Sequence, residues 1–216
     1  PRLWNAGCRA FFVAHWGEAE ALADLIPASS IAVLNGIAEQ DVQAAMELGA
    51  RPVLNTPQQI ALWNAANGGL CHVMLDSGIN RLGIAPEQLS PELLADLNID
   101  ILLTHLASAD EDVPQNAQQL ATFESMTLQI AAKRRSMANS AGIALGADFH
   151  FDLTRPGLAL YGGTAHSKLR SAIRQVVFPQ ARILQIRKVA AGAAIGYNAT
   201  YSTKHEMTVA SLAIGY

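Results

Sequence analysis

The sequence predicts an α/β fold: a TIM-type (β/α)8 barrel that lacks its first βα unit in this chain, followed by the start of a mainly antiparallel β domain. Three observations predict it. Short apolar runs alternate with longer amphipathic ones through seven successive βα-type units. The runs are almost continuously hydrophobic, as parallel strands covered on both faces must be, and no glycine-rich dinucleotide fingerprint favours an open doubly wound sheet. From about residue 176 the texture changes to period-two stretches with glycines and β-branched residues. The expected domains are therefore 1–175, the barrel, and 176–216, the start of the β domain.

The elements follow in order. "PRLWNAGC" reads as the tail of a helix and its exit loop with no strand ahead of it, which places the expected missing unit before residue 1. "RAFFVAH" (9–15) has the aromatic and β-branched content of a strand, and "EAEALADLI" (18–26) sets Ala19, Leu22 and Ile26 on one helical face. The pattern recurs as "SIAVLNG" (30–36) with "AEQDVQAAMELG", "RPVLNT" (51–56) with "PQQIALWNAANG", and "CHVMLDSG" (71–78) with "SPELLADLN". "IDILLTHLA" (99–107) precedes a long helical repeat, "AQQLATFESMTLQIAAKRR", carried by Leu120, Phe123, Thr127, Ile130 and Ala131. "SMANSAG" (136–142) and "FDLTRPGLALYGG" (151–163) complete seven strand candidates.

Composition narrows the class of function. Half of the 216 residues are hydrophobic and 15% are charged, so the chain is globular rather than disordered. A formal charge of −3, with "KRR" at 133–135 the sole cluster of Lys and Arg, gives no basic stripe for a nucleic-acid backbone. No apolar segment reaches the ~18 residues of a membrane span, and the first ten residues have no signal-peptide layout. Cys8 and Cys71 lack metal-type spacing and read as small buried thiols in a reducing, cytoplasmic setting.

Barrel geometry gives the polar strand ends their meaning. The C-terminal ends of barrel strands face the active site, and here they carry Asn55 and Thr56, Asp76 through Arg81, Thr104 and His105, Asn139 and Ser140, Arg155 and Gly157. Any one of them alone reads more readily as a turn or helix cap. Their convergence on one end of the barrel is what points to a cavity.

Five segments, "HVMLDSGINRLGI", "THLASADED", "SMANSAG", "DLTRPGLALYGG" and "GYNATYST", stand in the order and spacing that resemble the alanine racemases, pyridoxal-phosphate enzymes with a barrel followed by a β domain. The resemblance implies pyridoxal 5'-phosphate as cofactor of the 1–175 barrel, a small amino acid as substrate and a homodimer with composite sites. It implies roles residue by residue. Arg155 faces the pyridine nitrogen, where a permanent charge disfavours ring protonation and suits a racemase. Asn139, Ser140, Gly157 and Leu158 match phosphate-binding positions, His105 the histidine stacked on the pyridine, and Arg81 the arginine near the cofactor's phenolic oxygen and the substrate carboxylate. Tyr197 matches the acid/base for the L-amino acid, supplied to the neighbouring subunit's site.

Two departures accompany the resemblance. Met74 stands seven residues before Arg81, where several family members carry a carbamylated lysine, and a methionine cannot take that form or accept a strong hydrogen bond. No lysine occupies the Schiff-base position: Lys133 is expected in a helix, Lys168 in the link to the β domain, and Lys188 and Lys204 in the β domain. The chain is therefore expected to be the middle portion of a family member. Three readings stay open: racemisation of alanine for cell-wall peptidoglycan, the same chemistry on another small amino acid such as serine, and a non-catalytic pyridoxal-phosphate-binding fragment.

Overall fold

The computed structural model describes residues 2–128 and 130–215 and divides them between two compact units, Pro1–Gln175 and Val176–Tyr216. The first opens with a short helix, α1 (Arg2–Asn5), and then alternates: β1 (Phe11–Val13), α2 (Trp16–Ala23), β2 (Ile31–Val33), α3 (Val42–Leu48), β3 (Arg51–Leu54), α4 (Pro57–Ala65), β4 (Cys71–Met74), α5 (Pro91–Leu94), β5 (Ile99–Leu103), α6 (Pro114–Thr127) and β6 (Arg134–Ser136). The six strands form one parallel sheet in chain order, β1 to β6, as successive βα units demand. Local chemistry starts the helices where the strands end. Thr56 Oγ1 accepts from Gln59 N–H at 3.1 Å and Pro57 opens α4, while Ser90 Oγ accepts from Leu93 N–H at 3.2 Å and Pro91 opens α5.

Strand residues alternate between two apolar clusters because side chains leave a strand on opposite faces. Ile31, Val33, Leu54, Val73 and Leu102 meet helix residues Ala19, Ile60, Trp63 and Phe123 in the larger one. Ala32, Val53, Met74, Ile101 and Leu103 form the smaller one, with Phe12, Leu34 and Leu153 against it, on the concave side of the curled sheet. Met74 is thus interior packing. At the amino end of the strands Asp100 accepts from Arg51 and from Arg134 Nη2, the latter at 2.7 Å. Burial raises the Asp100 carboxyl, but Arg134's hydrogen bond and charge, with His72 and Arg51 behind it, bring it below the ordinary carboxylate range. Burial drives His72 beside them down to about 3. The thiol of Cys71, fully buried at the start of β4, is pushed up to about 12 by the same loss of solvent.

Three expectations are corrected. The helical repeat through "AAKRR" stops at Thr127, and Arg134 and Arg135 belong to β6 instead. Pairing with β5 and the ion pair to Asp100 outweigh a local preference worth a few tenths of a kcal/mol per residue. Lys133 accordingly lies in the bend before β6, at the end of the strand opposite the polar cluster, and not in a helix. The strand candidate at 136–142 is displaced, since β6 ends at Ser136 and the polar residues after it form its exit. The candidate at 151–163 is not a strand among the described residues: it lies alongside β6, with Asp152 N–H on Arg135 O at 3.1 Å and Arg155 N–H on Ala138 O at 2.8 Å, then turns in a 3-10 helix at Leu158–Tyr161.

Among the described residues the second unit holds four strands. β7 (Ile183–Val189) pairs antiparallel with β10 (Met207–Leu212), and β8 (Ala194–Ile195) with β9 (Tyr201–Ser202). Thr203 pins the turns between them, its buried Oγ1 donating to Ala190 O at 2.6 Å and accepting from Ala193 N–H at 3.0 Å.

Candidate active site at the carboxyl ends of the strands

Arg155 is the centre of the polar cluster. It follows the extended segment beside β6, and its guanidinium donates to Ser136 Oγ, to Thr104 O at 2.6 Å and, at 3.5 Å, to Met137 O. Ser136 O–H in turn donates to Leu153 O at 2.6 Å, so the arginine is braced against β5, β6 and its own segment. Desolvation lowers Arg155 to about 10, which leaves it charged at neutral pH. His105, two residues beyond β5, is lowered to about 4 by burial first and then by the charges of Arg155 and Arg81. Its imidazole is therefore neutral at pH 7. Asn139 Oδ1 accepts from Gly142 N–H at 2.9 Å, which turns its Nδ2 toward His105 Nε2, 3.5 Å away.

A second grouping follows β6. Ser140 Oγ accepts from Gly157 N–H at 3.0 Å and Ala159 N–H at 3.1 Å, which gathers two backbone donors, a hydroxyl and Leu158 between them at one turn. Nothing lies within 4 Å of where a side chain at Gly157 would begin, so the backbone there is open to close approach. The Ser140 hydroxyl, polarised by those two N–H groups, and the open backbone at Gly157 suit a phosphate monoester. The flat, uncharged imidazole and the charged guanidinium next to it suit the face and the ring nitrogen of a pyridine.

The loop "LDSGINRLGI" explains why an apolar strand opens onto polar residues. Asp76 Oδ1 accepts from the N–H groups of Gly78, Ile79 and Asn80 at 2.8, 2.9 and 3.2 Å, and the chain then returns so that Ile84 N–H reaches Met74 O at 2.8 Å. Arg81, at the tip, is exposed, and its charge reaches His105. With Met74 turned into the interior, the loop itself, tied by Asp76, holds Arg81's backbone.

The structure thus brings His105, Asn139 and Arg155 together, joins Ser140 to Gly157 and the turn containing Leu158, and leaves Arg81 acting through its charge. Tyr197 lies in the second unit, 84% exposed, on a short turn between Gly196 and Thr200. Asn55 and Thr56 serve local structure: Asn55 Nδ2 donates to Leu34 O and Val53 O, and Thr56 caps α4. Ser136 and Gln119 went unrecognised in the sequence. A glutamine four residues before Phe123 shares its helix face, and that spacing was the available signal for Gln119.

The N-terminal domain of alanine racemases matches residues 1–165 as a family, and their C-terminal domain matches residues 176–216. The chain belongs to the alanine racemase family. A relative from Rhodospirillum rubrum named alanine racemase is 38% identical over 228 aligned residues, and one from Methylobacterium nodulans with the same name is 39% identical over 228. Both alignments take in the whole chain and 61% of the relative's length. The solved alanine racemase from Bartonella henselae, with covalently bound pyridoxal phosphate, superposes with a TM-score of 0.80 at 34% identity, over 99% of this chain and 63% of that one. The chain spans about three fifths of the length of the curated family members it matches. Among the described residues no helix is long and apolar enough to cross a membrane.

Proposed function

We propose that the complete protein interconverts L-alanine and D-alanine by a pyridoxal-phosphate-dependent two-base racemisation, and so supplies D-alanine for peptidoglycan. The observation that carries this reading is the match of both family domains, in order, across the chain. Pyridoxal phosphate, when bound, draws electron density from the substrate's α-carbon and makes its proton acidic. The rest falls to the protein. Ser140, Gly157, Leu158 and Asn139 hold the phosphate, and His105 presents a neutral ring to the pyridine. Arg155 keeps a positive charge at the ring nitrogen, which discourages protonation there and moderates the electron sink. Arg81 binds the substrate carboxylate with the bidentate fork suited to it. Tyr197 takes the α-proton from the L face or returns it, and a lysine elsewhere in the complete protein serves the D face.

In this reading the working unit is a homodimer in the cytoplasm, with Tyr197 contributed to the partner's site. Exposure of Tyr197 on its own unit supports a role outside it, and the two free cysteines suit a reducing compartment. The test is purified complete protein with added cofactor, assayed for D-alanine formed from L-alanine and for the reverse, with L-serine run in parallel. Faster turnover of serine would move the substrate assignment. Cofactor binding without turnover of either amino acid would mark a binding protein instead.

A further inference from the structure

Gln119 lies on α6 with only 1% of its surface exposed, a degree of burial an amide tolerates when its polar atoms are satisfied. Its Oε1 accepts from Ala107 N–H at 2.9 Å, and its Nε2 donates to His105 O at 3.0 Å and to Ser77 Oγ at 3.3 Å. Ser77 Oγ in turn shares a hydrogen bond of 2.8 Å with Thr104 Oγ1. One side chain therefore fixes the backbone on which His105 sits and the root of the loop that carries Arg81. The same strand end receives Arg155 through Thr104 O. We propose that Gln119 is a positioning residue of the racemisation site: it sets the placement of His105 and of the Arg81 loop from behind. The role rests on the racemase reading above.

The physical argument is one of orphaned groups. A leucine of similar volume at 119 keeps the packing but leaves the Ala107 N–H and the His105 carbonyl, both in part-buried hydrogen bonds, without their partner, and the strand end must shift to give them water. A glutamate keeps an acceptor for Ala107 N–H and, while ionised, repels the His105 carbonyl. Burial raises such a carboxyl's pKa, and its protonated form regains a donor for that carbonyl.

The experiment uses the complete protein as parent, Gln119→Leu, Gln119→Glu and, as a packing control on the same helix, Phe123→Leu. Without cofactor, amide hydrogen exchange at Ala107 should quicken on the order of tenfold in Gln119→Leu and stay near the parent in Gln119→Glu. With cofactor, KM for alanine should rise on the order of tenfold in Gln119→Leu, more than kcat falls, because the carboxylate-binding loop has lost its root. Phe123→Leu should lower the melting temperature and leave KM alone. For Gln119→Glu, kcat/KM relative to the parent should climb as pH falls. Unchanged exchange and KM in Gln119→Leu, an equal rise of KM in Phe123→Leu, or a flat relative pH profile for Gln119→Glu would each overturn the assignment. The glutamate profile decides the matter if Gln119→Leu fails to fold. A parent inactive on alanine sinks the racemase reading and this role together, whereas an active parent with an indifferent Gln119→Leu sinks the role alone.

Discussion

Tyr197→Phe keeps the ring of a residue that is 84% exposed and removes only its hydroxyl, so the substitution reports chemistry with little disturbance of folding. With the phenol as the proposed base for the L face, turnover should fall about 10²- to 10⁴-fold in both directions, since the reverse reaction needs the same oxygen as acid. Exchange of the α-proton in deuterium oxide separates the faces: loss from D-alanine should survive better than loss from L-alanine, and equal loss from both would count against the role. Arg155→Glu addresses the other end of the proposed chemistry. It should slow racemisation on the order of 100-fold and increase pyruvate from transamination, because a carboxylate lets the ring nitrogen take a proton. It should also lower the melting temperature, since it sets a negative charge against Thr104 O where a guanidinium donated. Normal racemisation with no added pyruvate would remove Arg155 from the ring nitrogen. The candidate residues His105, Asn139, Ser140 and Arg155 were legible because each stands just past an apolar run. Ser136 and Gln119 were not: the first looks like the start of a strand, and the second is a polar residue whose place beside Phe123 shows only in the helical spacing. Their partners, Arg155 and His105, are 19 and 14 residues away.

Among the elements, the loop from β4 back to Ile84 depends on backbone approach as much as on hydrogen bonds. Gly83 has φ +125°, and a Cβ there would meet Asp76 N at 2.7 Å and Leu75 C at 2.8 Å, main-chain atoms that cannot swing away. Gly83→Ala should therefore destabilise the barrel unit by about 1–3 kcal/mol and raise KM for alanine through the Arg81 loop. A denaturant midpoint and KM like the parent's would show that the loop absorbs the methyl group. The parallel order of β1 to β6 was readable from apolar runs spaced by helical ones, because alternate faces of each strand feed two separate clusters. The boundary at β6 was not. "AAKRR" continues a helical period, and only a partner remote in sequence, Asp100 of β5, makes Arg134 a strand residue. The stretch 151–163 likewise reads as a strand by composition, yet it makes isolated bonds to β6 and then turns at Gly157.

For the whole molecule, His72 and His105, the two histidines whose affinity for a proton is lowered by loss of solvent, dictate how stability responds to acid. In the unfolded chain each binds a proton as pH falls through 6.5, whereas in the fold His105 waits until about 4 and His72 until about 3. The unfolded state thus holds more protons throughout that window, and stability must decline as pH drops from about 6.5, at up to about 1.4 kcal/mol per pH unit for each group. Asp100 adds to the loss lower down, where its depressed carboxyl is protonated more readily in the unfolded chain. Melting temperatures between pH 7 and 4 should fall steeply for the parent and less steeply for His72→Leu; parallel curves would show that His72 finds solvent in the fold. The thiol of Cys71 bears on quite another matter. Held near 12 and wholly enclosed, it is silent to alkylating reagents at neutral pH, while Cys8 is partly open to solvent. Within these 216 residues a maleimide dye therefore has a single address, Cys8, just after α1.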